Sequence, residues 1–396
     1  MNLDFDPAVT QFRAEVAAWL AAHIPAQPLP SVDTAAGSAE HRAFEAQLAD
    51  ARLAAVDWPA EYGGRDASLL EWLVFEEEYH AAGGPVRVGQ NGLFVLAPTL
   101  LAHGTAEQCA RILPRLARAD DVWAQAWSEP DAGSDLAALR SRAVRTDGGW
   151  LLSGQKTWSS RAVLADRAFG LFRSDPAAER HRGLTYLMFD LRADGLSIRP
   201  IAQLDGEAGF AEIFLDEVFV PDADVLGEPG DGWRIAMSSA GYERGLFLRS
   251  PGRFTAAAAR LIELWQRTGD PANSALADRV TDAWIGARAY QLHGYGLASE
   301  SAAADSAADS AGGSGNSATA ARASLGKVFW SELDVALHET ALELLGSDAE
   351  IHAPDRPEQR WLDGYLFALA GPIYAGTNEI QRSVIAERVL GLPRGN

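Results

Sequence analysis

Cysteine is almost absent from this 396-residue chain: Cys109 stands alone, which excludes an intrachain disulfide and leaves no thiolate cluster for a metal. Lysine is nearly as rare. Lys156 and Lys327 are the only two, the other cationic side chains are arginines, and no polybasic block occurs anywhere. With 34 Lys and Arg against 54 Asp and Glu, the formal net charge is -20. That balance argues against nucleic acid, whose phosphates need clustered cations, and against an anionic membrane surface. An anionic substrate must be held by a few local arginines working against the global field. The eight histidines are scattered, none at metal-ligand helical spacing, so no structural metal is predicted. No apolar run approaches the roughly 18 uncharged residues of a membrane-spanning helix. The chain opens Met-Asn-Leu-Asp-Phe-Asp, without a basic region followed by an apolar run, so no secretory signal is expected and the cytoplasm is the default location. A strand, glycine loop and helix in dinucleotide-binding order is also missing, so no Rossmann domain is expected.

What is present is 47% hydrophobic and 22% charged residues, an ordinary globular balance, in a chain long enough for two or three domains. Asp6 and Pro7 make a helix start, and Val9, Phe12, Val16 and Leu20 recur at helical spacing until Pro25. Helical patterns resume at about 41–55, 69–82 and 92–103. Between about Val122 and Pro221 the pattern changes to short apolar runs split by Asp-Gly, Gly-Gly and Pro signals, with strands predicted at Trp150–Leu152, Gly183–Leu191 and Glu212–Val220. From Trp233 the helical period returns, broken by Ser299–Ser317, a stretch of Ala, Ser, Asp and Gly that buries too little to offset its ordering. The domains are therefore set at 1–121 (helical), 122–232 (β) and 233–396 (helical, with a flexible excursion at 299–317).

Four segments carry the chemistry. They are Trp58-Pro-Ala-Glu-Tyr-Gly-Gly64, Ser128-Glu-Pro-Asp-Ala-Gly-Ser-Asp135, Gly154-Gln-Lys-Thr-Trp-Ser-Ser160, and Gly371 to Glu387, in which a Gly-Thr-Asn corner runs into an amphipathic helix. Backbone N–H groups at such a corner can bind an anion or a dinucleotide. In identity, order and spacing the four segments resemble the acyl-CoA dehydrogenase family of flavoproteins, over essentially the whole chain. The resemblance implies an α+β multidomain fold: an N-terminal α-helical domain, a middle β-barrel domain and a C-terminal four-helix bundle, with FAD between the last two.

Dehydrogenating a thioester needs a carboxylate for the Cα proton, a flavin for the Cβ hydride and donors for the enolate-like oxygen. The resemblance places Gln125, Trp127 and Ser128 along the flavin ring, and Trp158 and Ser160 over it and near its N5. Thr377, Asn378 and Glu379 match the corner that contacts the ribityl or diphosphate part. Ser134, Arg244, Tyr374, Ala375 and Gly376 match positions lining the acyl-CoA. Asp131 stands where glycine is usual, and Arg161 where a small or amide residue is more usual. An arginine and a Phe-Gly pair that usually bind a neighbouring subunit's FAD are not recognisable around Arg279 to Tyr295.

Many relatives carry the base directly after the tyrosine of the C-terminal motif, but Tyr374 is followed here by Ala375, which cannot titrate. A minority draw it from a Glu-Arg dipeptide shortly after the β domain, and this chain reads Gly241-Tyr-Glu-Arg-Gly245 there. Glu243 is thus the implied base, with desolvation expected to raise its pKa. The glycines at 241 and 245 suggest close approach of a ligand or a backbone. The implied reaction turns an acyl-CoA or acyl-carrier-protein thioester into a trans-2-enoyl thioester, with electrons passed to an electron-transfer flavoprotein, in a homodimer, homotetramer or heterotetramer. Two alternatives stay open: a non-catalytic FAD-completing subunit of a heteromeric dehydrogenase, and a flavin monooxygenase or oxidase on the same fold.

Overall fold

In the computed structural model the described residues are 5–244, 246, 249–308, 316–353 and 356–393, with 244, 301, 303–308 and 316–322 described in backbone only. The helices are α1 (Pro7–His23), α2 (Ala35–Asp50), α3 (Leu69–Ala81), α4 (Ala97–His103, entered through a π-helical turn at Gly92–Leu96) and α5 (Ala106–Ala117). Eight strands follow: β1 (Trp123–Ala126), β2 (Arg142–Thr146), β3 (Gly149–Ser160), β4 (Arg167–Arg173), β5 (Leu184–Asp190), β6 (Leu196–Ile201), β7 (Phe210–Pro221) and β8 (Val225–Leu226). Helices then run to the end: α6 (Gly232–Arg244), α7 (Pro251–Thr268), α8 (Ser274–Ala308), α9 (Asn316–Leu345), α10 (Gln359–Ala368) and α11 (Asn378–Val384). Among the described residues no helix is long and apolar enough to cross a membrane.

Local signals explain most boundaries. Proline occupies the first turn of α1, whose Val9, Phe12, Val16 and Leu20 are buried as their spacing predicts, although the Asp6 side chain makes no capping bond. Helix α2 starts six residues before the predicted 41, because the Thr34 hydroxyl accepts from Gly37 N at 3.1 Å. Ser68 and Glu71 form a capping box that opens α3. The same device, Thr105 with Gln108, opens α5, a helix that the periodicity reading missed. The excursion predicted at 299–317 is helical at both ends: 299–308 continue α8 and 316–317 begin α9, while 309–315 lie outside the described residues. Alanine explains the difference, since an alanine-rich segment extends an existing helix without burying anything of its own.

The chain divides into two compact units, Met1–Ile24 with Ala67–Gly84 and Arg244–Asn396, and Pro25–Asp66 with Pro85–Glu243. In the first, Glu77 on α3 accepts from Arg13 of α1 at 2.7 Å and from Gln291 of α8 at 2.6 Å, and also from the Tyr295 hydroxyl. One buried carboxylate thus ties three helices. Gly252, near the start of α7, lies where an added Cβ would sit 2.6 Å from Glu76 O, so only glycine allows α7 this close to α3.

In the second unit the strands form one sheet in the order β6-β7-β3-β2-β4-β5-β8, with β1 pairing parallel to β4. Its core holds Trp150, Leu152, Phe172, Phe189, Ile213, Val218 and Val220. Strand β5 is buried along its first six residues, a run apolar but for Thr185 and the Tyr186 hydroxyl. Register between β3 and β7 shifts twice, between Leu152 and Gly154 and between Lys156 and Ser159. The second shift decides where Trp158 goes.

Candidate active site

Gln125 lies on β1, and Trp127 and Ser128 follow the strand directly. Thr157 N donates to Ser128 O at 2.9 Å, so the Ser128–Asp135 and Gly154–Ser160 segments run side by side. Beneath them the Lys156 ammonium, 0% exposed, donates to Glu129 at 2.8 Å, to Leu171 O at 2.7 Å and to Trp127 O at 3.3 Å. Glu129 accepts in addition from Arg140 N at 2.6 Å and Ser141 N at 2.9 Å. Burial drives both groups toward neutrality, but the Lys156 charge and the two N–H donors hold the Glu129 carboxyl below its ordinary value. Lys156 itself is lowered by burial, with Glu129 opposing.

At the second bulge Trp158 takes φ +58, a left-handed conformation rare for a bulky residue, and its indole is 60% exposed. It meets Phe210 edge-on at 6.0 Å. Three residues on, Arg161 also has positive φ; its Nε donates to Asp33 at 2.6 Å and its N donates to Gly209 O at 2.9 Å. The departure from a small residue at 161 therefore has a partner in Asp33. An aromatic face held in a strained conformation and open to solvent, on a segment whose backbone bonds to Ser128, fits stacking on a flavin ring.

Glu243, half-buried near the end of α6, accepts from Gln125 Nε2 at 3.4 Å. The structure thus brings the implied base to a strand that carries an implied cofactor contact. Tyr186 of β5 meets Trp127 edge-on at 6.4 Å, and Ser239, one turn before Glu243 on α6, lies 2.7 Å from Thr99 Oγ1. Arg244 closes α6, and its side chain is outside the described residues, as is Gly245. A Cβ at Gly241 would meet no atom within 4 Å, so no backbone requires glycine there. Ser134 and Asp131 are exposed on the corner after Ser128, Asp131 only 3.9 Å from Arg140.

In the other unit Tyr374 accepts from Arg249 Nε at 2.9 Å, and the buried Arg249 guanidinium lies over the Tyr374, Phe367 and Trp330 rings at 5.4, 5.3 and 5.9 Å. Ala375 and Gly376 follow with φ +55 and +79, and Gln381 Nε2 donates to both carbonyls. Thr377 caps α11 by accepting from Ile380 N, and the buried Asn378 accepts from Lys327 Nζ at 2.7 Å and Ser331 Oγ at 3.2 Å. A backbone N–H and the Thr377 hydroxyl hold the exposed Glu379 carboxyl below its ordinary value, so this helix start favours negative charge.

Several of these residues escaped the sequence reading. Lys156 and Glu129 sit inside the quoted motifs, and the scarcity of lysine was their signal. Lys327 shares that signal, whereas nothing in the sequence marks Tyr186, Ser239 or Arg249.

Sequence profiles of the acyl-CoA dehydrogenase N-terminal, middle and C-terminal domains match residues 6–120, 124–218 and 230–390. The chain is 39% identical over 394 residues to the acyl-CoA dehydrogenase IpdE1 of Mycobacterium tuberculosis, covering 98% of each. Among solved structures it resembles the ChsE4-ChsE5 complex of Mycobacterium tuberculosis, at 30% identity and TM-score 0.82 with both chains fully covered. It also resembles a steroid acyl-CoA dehydrogenase, Tcur3481-Tcur3483, at 25% identity and TM-score 0.81, again with both chains fully covered. With three domain profiles spanning nearly its whole length in the order helical, β, helical, and with residues that fit a flavin, this chain belongs to the acyl-CoA dehydrogenase family of FAD-dependent oxidoreductases.

Proposed function

We propose that this protein removes hydrogens from Cα and Cβ of an acyl-CoA, giving a trans-2-enoyl thioester, with Glu243 taking the pro-R Cα proton. FAD, when bound, accepts the Cβ hydride. The contact that supports this most is Gln125 to Glu243 at 3.4 Å: a side chain on the strand leading into Trp127 and Ser128 holds the one carboxylate implied as base. In this reading Gln125, Trp127, Ser128, Trp158 and Ser160 orient the flavin ring. Thr377, Asn378 and Glu379 hold its ribityl or diphosphate part. Ser134, Arg244, Tyr374, Ala375 and Gly376 line the thioester, and Ala375, unable to titrate, leaves Glu243 alone as the base. Electrons leave to an electron-transfer flavoprotein in the cytoplasm. The likeness to a steroid acyl-CoA dehydrogenase favours a bulky, ring-bearing acyl group.

The test is anaerobic titration of the FAD-loaded protein with octanoyl-CoA, isobutyryl-CoA and a steroid-side-chain CoA thioester, watching the oxidised flavin band. Glu243→Gln is expected to bind FAD normally and to lose bleaching by every thioester that bleaches the native protein. Normal reduction of that variant rejects the assignment.

A heteromeric assembly is a second reading, favoured by the 30% identity to a chain of the ChsE4-ChsE5 complex. Protein purified alone that is colourless, and gains FAD only with a second chain, would support it.

A further inference from the structure

Lys156 spends its ammonium on three acceptors, and only one of them is a carboxylate. It donates to Glu129 at 2.8 Å, to Leu171 O at 2.7 Å and to Trp127 O at 3.3 Å, with the Phe172 ring centroid 4.8 Å away. An ammonium has three protons, so none is left over. Glu129 divides its oxygens among Lys156, Arg140 N and Ser141 N. A carboxylate has no proton to give, so the Trp127 carbonyl depends on Lys156 and not on Glu129.

That carbonyl shares a planar unit with the Ser128 N–H, and in a trans peptide the two point opposite ways. With the oxygen turned inward to the fully buried Lys156, the N–H turns outward. Thr157, next to Lys156 on β3, donates its N–H to Ser128 O at 2.9 Å and fixes the other side of Ser128. The N–H of the half-buried Ser128 finds no partner of its own among the described residues. A main-chain donor clamped in place and left unspent, on a segment bonded to the strand of Trp158, is available to a ligand.

We infer that Lys156 is a positioning residue for the flavin: its ammonium fixes the Trp127–Ser128 peptide so that the Ser128 N–H is presented to the ring before the ring gains electrons. The inference rests on the reading that lays the flavin along Trp127, Ser128 and Trp158. A hydrogen bond to a charged acceptor is roughly twice as strong as one to a neutral acceptor, so a fixed donor stabilises the ring more once it carries added electron density. The clamped peptide therefore favours the reduced cofactor over the oxidised one. In turnover the Cβ hydride carries both electrons to the flavin and the Cα proton goes to Glu243; Lys156 transfers neither.

The experiment is redox titration of the FAD-loaded protein, comparing midpoint potentials among variants, with chemical denaturation in parallel. Lys156→Met is expected to keep FAD and to lose about tenfold in its preference for the reduced cofactor, which moves a two-electron midpoint by about 30 mV to more negative values. Glu129→Gln breaks the same ion pair but leaves Lys156 on its two carbonyls, so stability falls while the potential stays native. If Lys156→Met does not fold, the double variant Lys156→Met with Glu129→Gln strands no charge and is expected to show the same negative shift. A potential that moves equally in Lys156→Met and Glu129→Gln, or that stays native in the Lys156 variants, overturns the role given to Lys156; the flavin reading then stands if Trp158→Ala loses FAD affinity. Undiminished FAD affinity in Trp158→Ala overturns the flavin reading, and this inference with it.

Discussion

Lys156 donates to Glu129 across 2.8 Å where solvent does not reach, and this pair clamps the turn after Trp127 to the strand that carries Trp158. Removing one partner strands the other charge. Lys156→Met and Glu129→Gln are each expected to destabilise by about 3–5 kcal/mol, read from chemical denaturation midpoints. Because the Glu129 carboxyl is held below its ordinary 4.5, its contribution is present above that value and disappears as pH falls through the lowered one. The stability gap between native protein and Glu129→Gln should be widest near neutrality and narrow as pH falls below the ordinary carboxylate range. A gap that does not depend on pH would mean the pair is not the source.

Lys327 is the second lysine, and like Lys156 it is 0% exposed, its ammonium on Asn378 beside the Thr377 corner. An amine-reactive ester should therefore leave both lysine side chains unmodified in the folded protein. Mass spectrometry should find both modified only after unfolding. Modification of either at native rates would contradict the burial.

Trp158 is held outward against its backbone preference. Replacing it with alanine should change stability by no more than about 0.5 kcal/mol, as for other exposed positions. FAD affinity should fall about tenfold or more, because the stacking face is gone. Trp158→Gly, free of the positive-φ penalty, should be the more stable of the two by roughly 1 kcal/mol. Equal FAD binding by all three proteins, measured from flavin fluorescence, would remove Trp158 from the cofactor site.

Ala375 at φ +55 carries the same kind of strain without any large side chain. Ala375→Gly should stabilise by about 0.5–1 kcal/mol in thermal unfolding, since the native conformation favours glycine. Destabilisation would show that the gain in unfolded-chain entropy outweighs the relief.

The residues proposed for the site could be named from the sequence wherever they fall in contiguous segments. Trp127 and Ser128, Trp158 and Ser160, and Thr377 to Glu379 each lie in a segment whose turn chemistry can be read directly. Glu243 could be picked out because Ala375 leaves the alternative position without a titratable group. Helix α5 was missed because its capping box was passed over, and the 299–308 stretch because its alanines were weighed for burial rather than for helix propensity.

Length, charge and the order of four short motifs were enough to determine the family, the helical, β, helical order of domains and the cofactor, because local residue patterns encode each of them. Only the tertiary structure decided that Gln125 meets Glu243, that Glu129 pairs with Lys156, that Asp33 answers Arg161 and that Tyr186 packs edge-on to Trp127. Those pairs are separated by 27 to 128 positions in the chain. No local periodicity carries such information; it arises when strand register and helix packing bring distant side chains within a few ångströms.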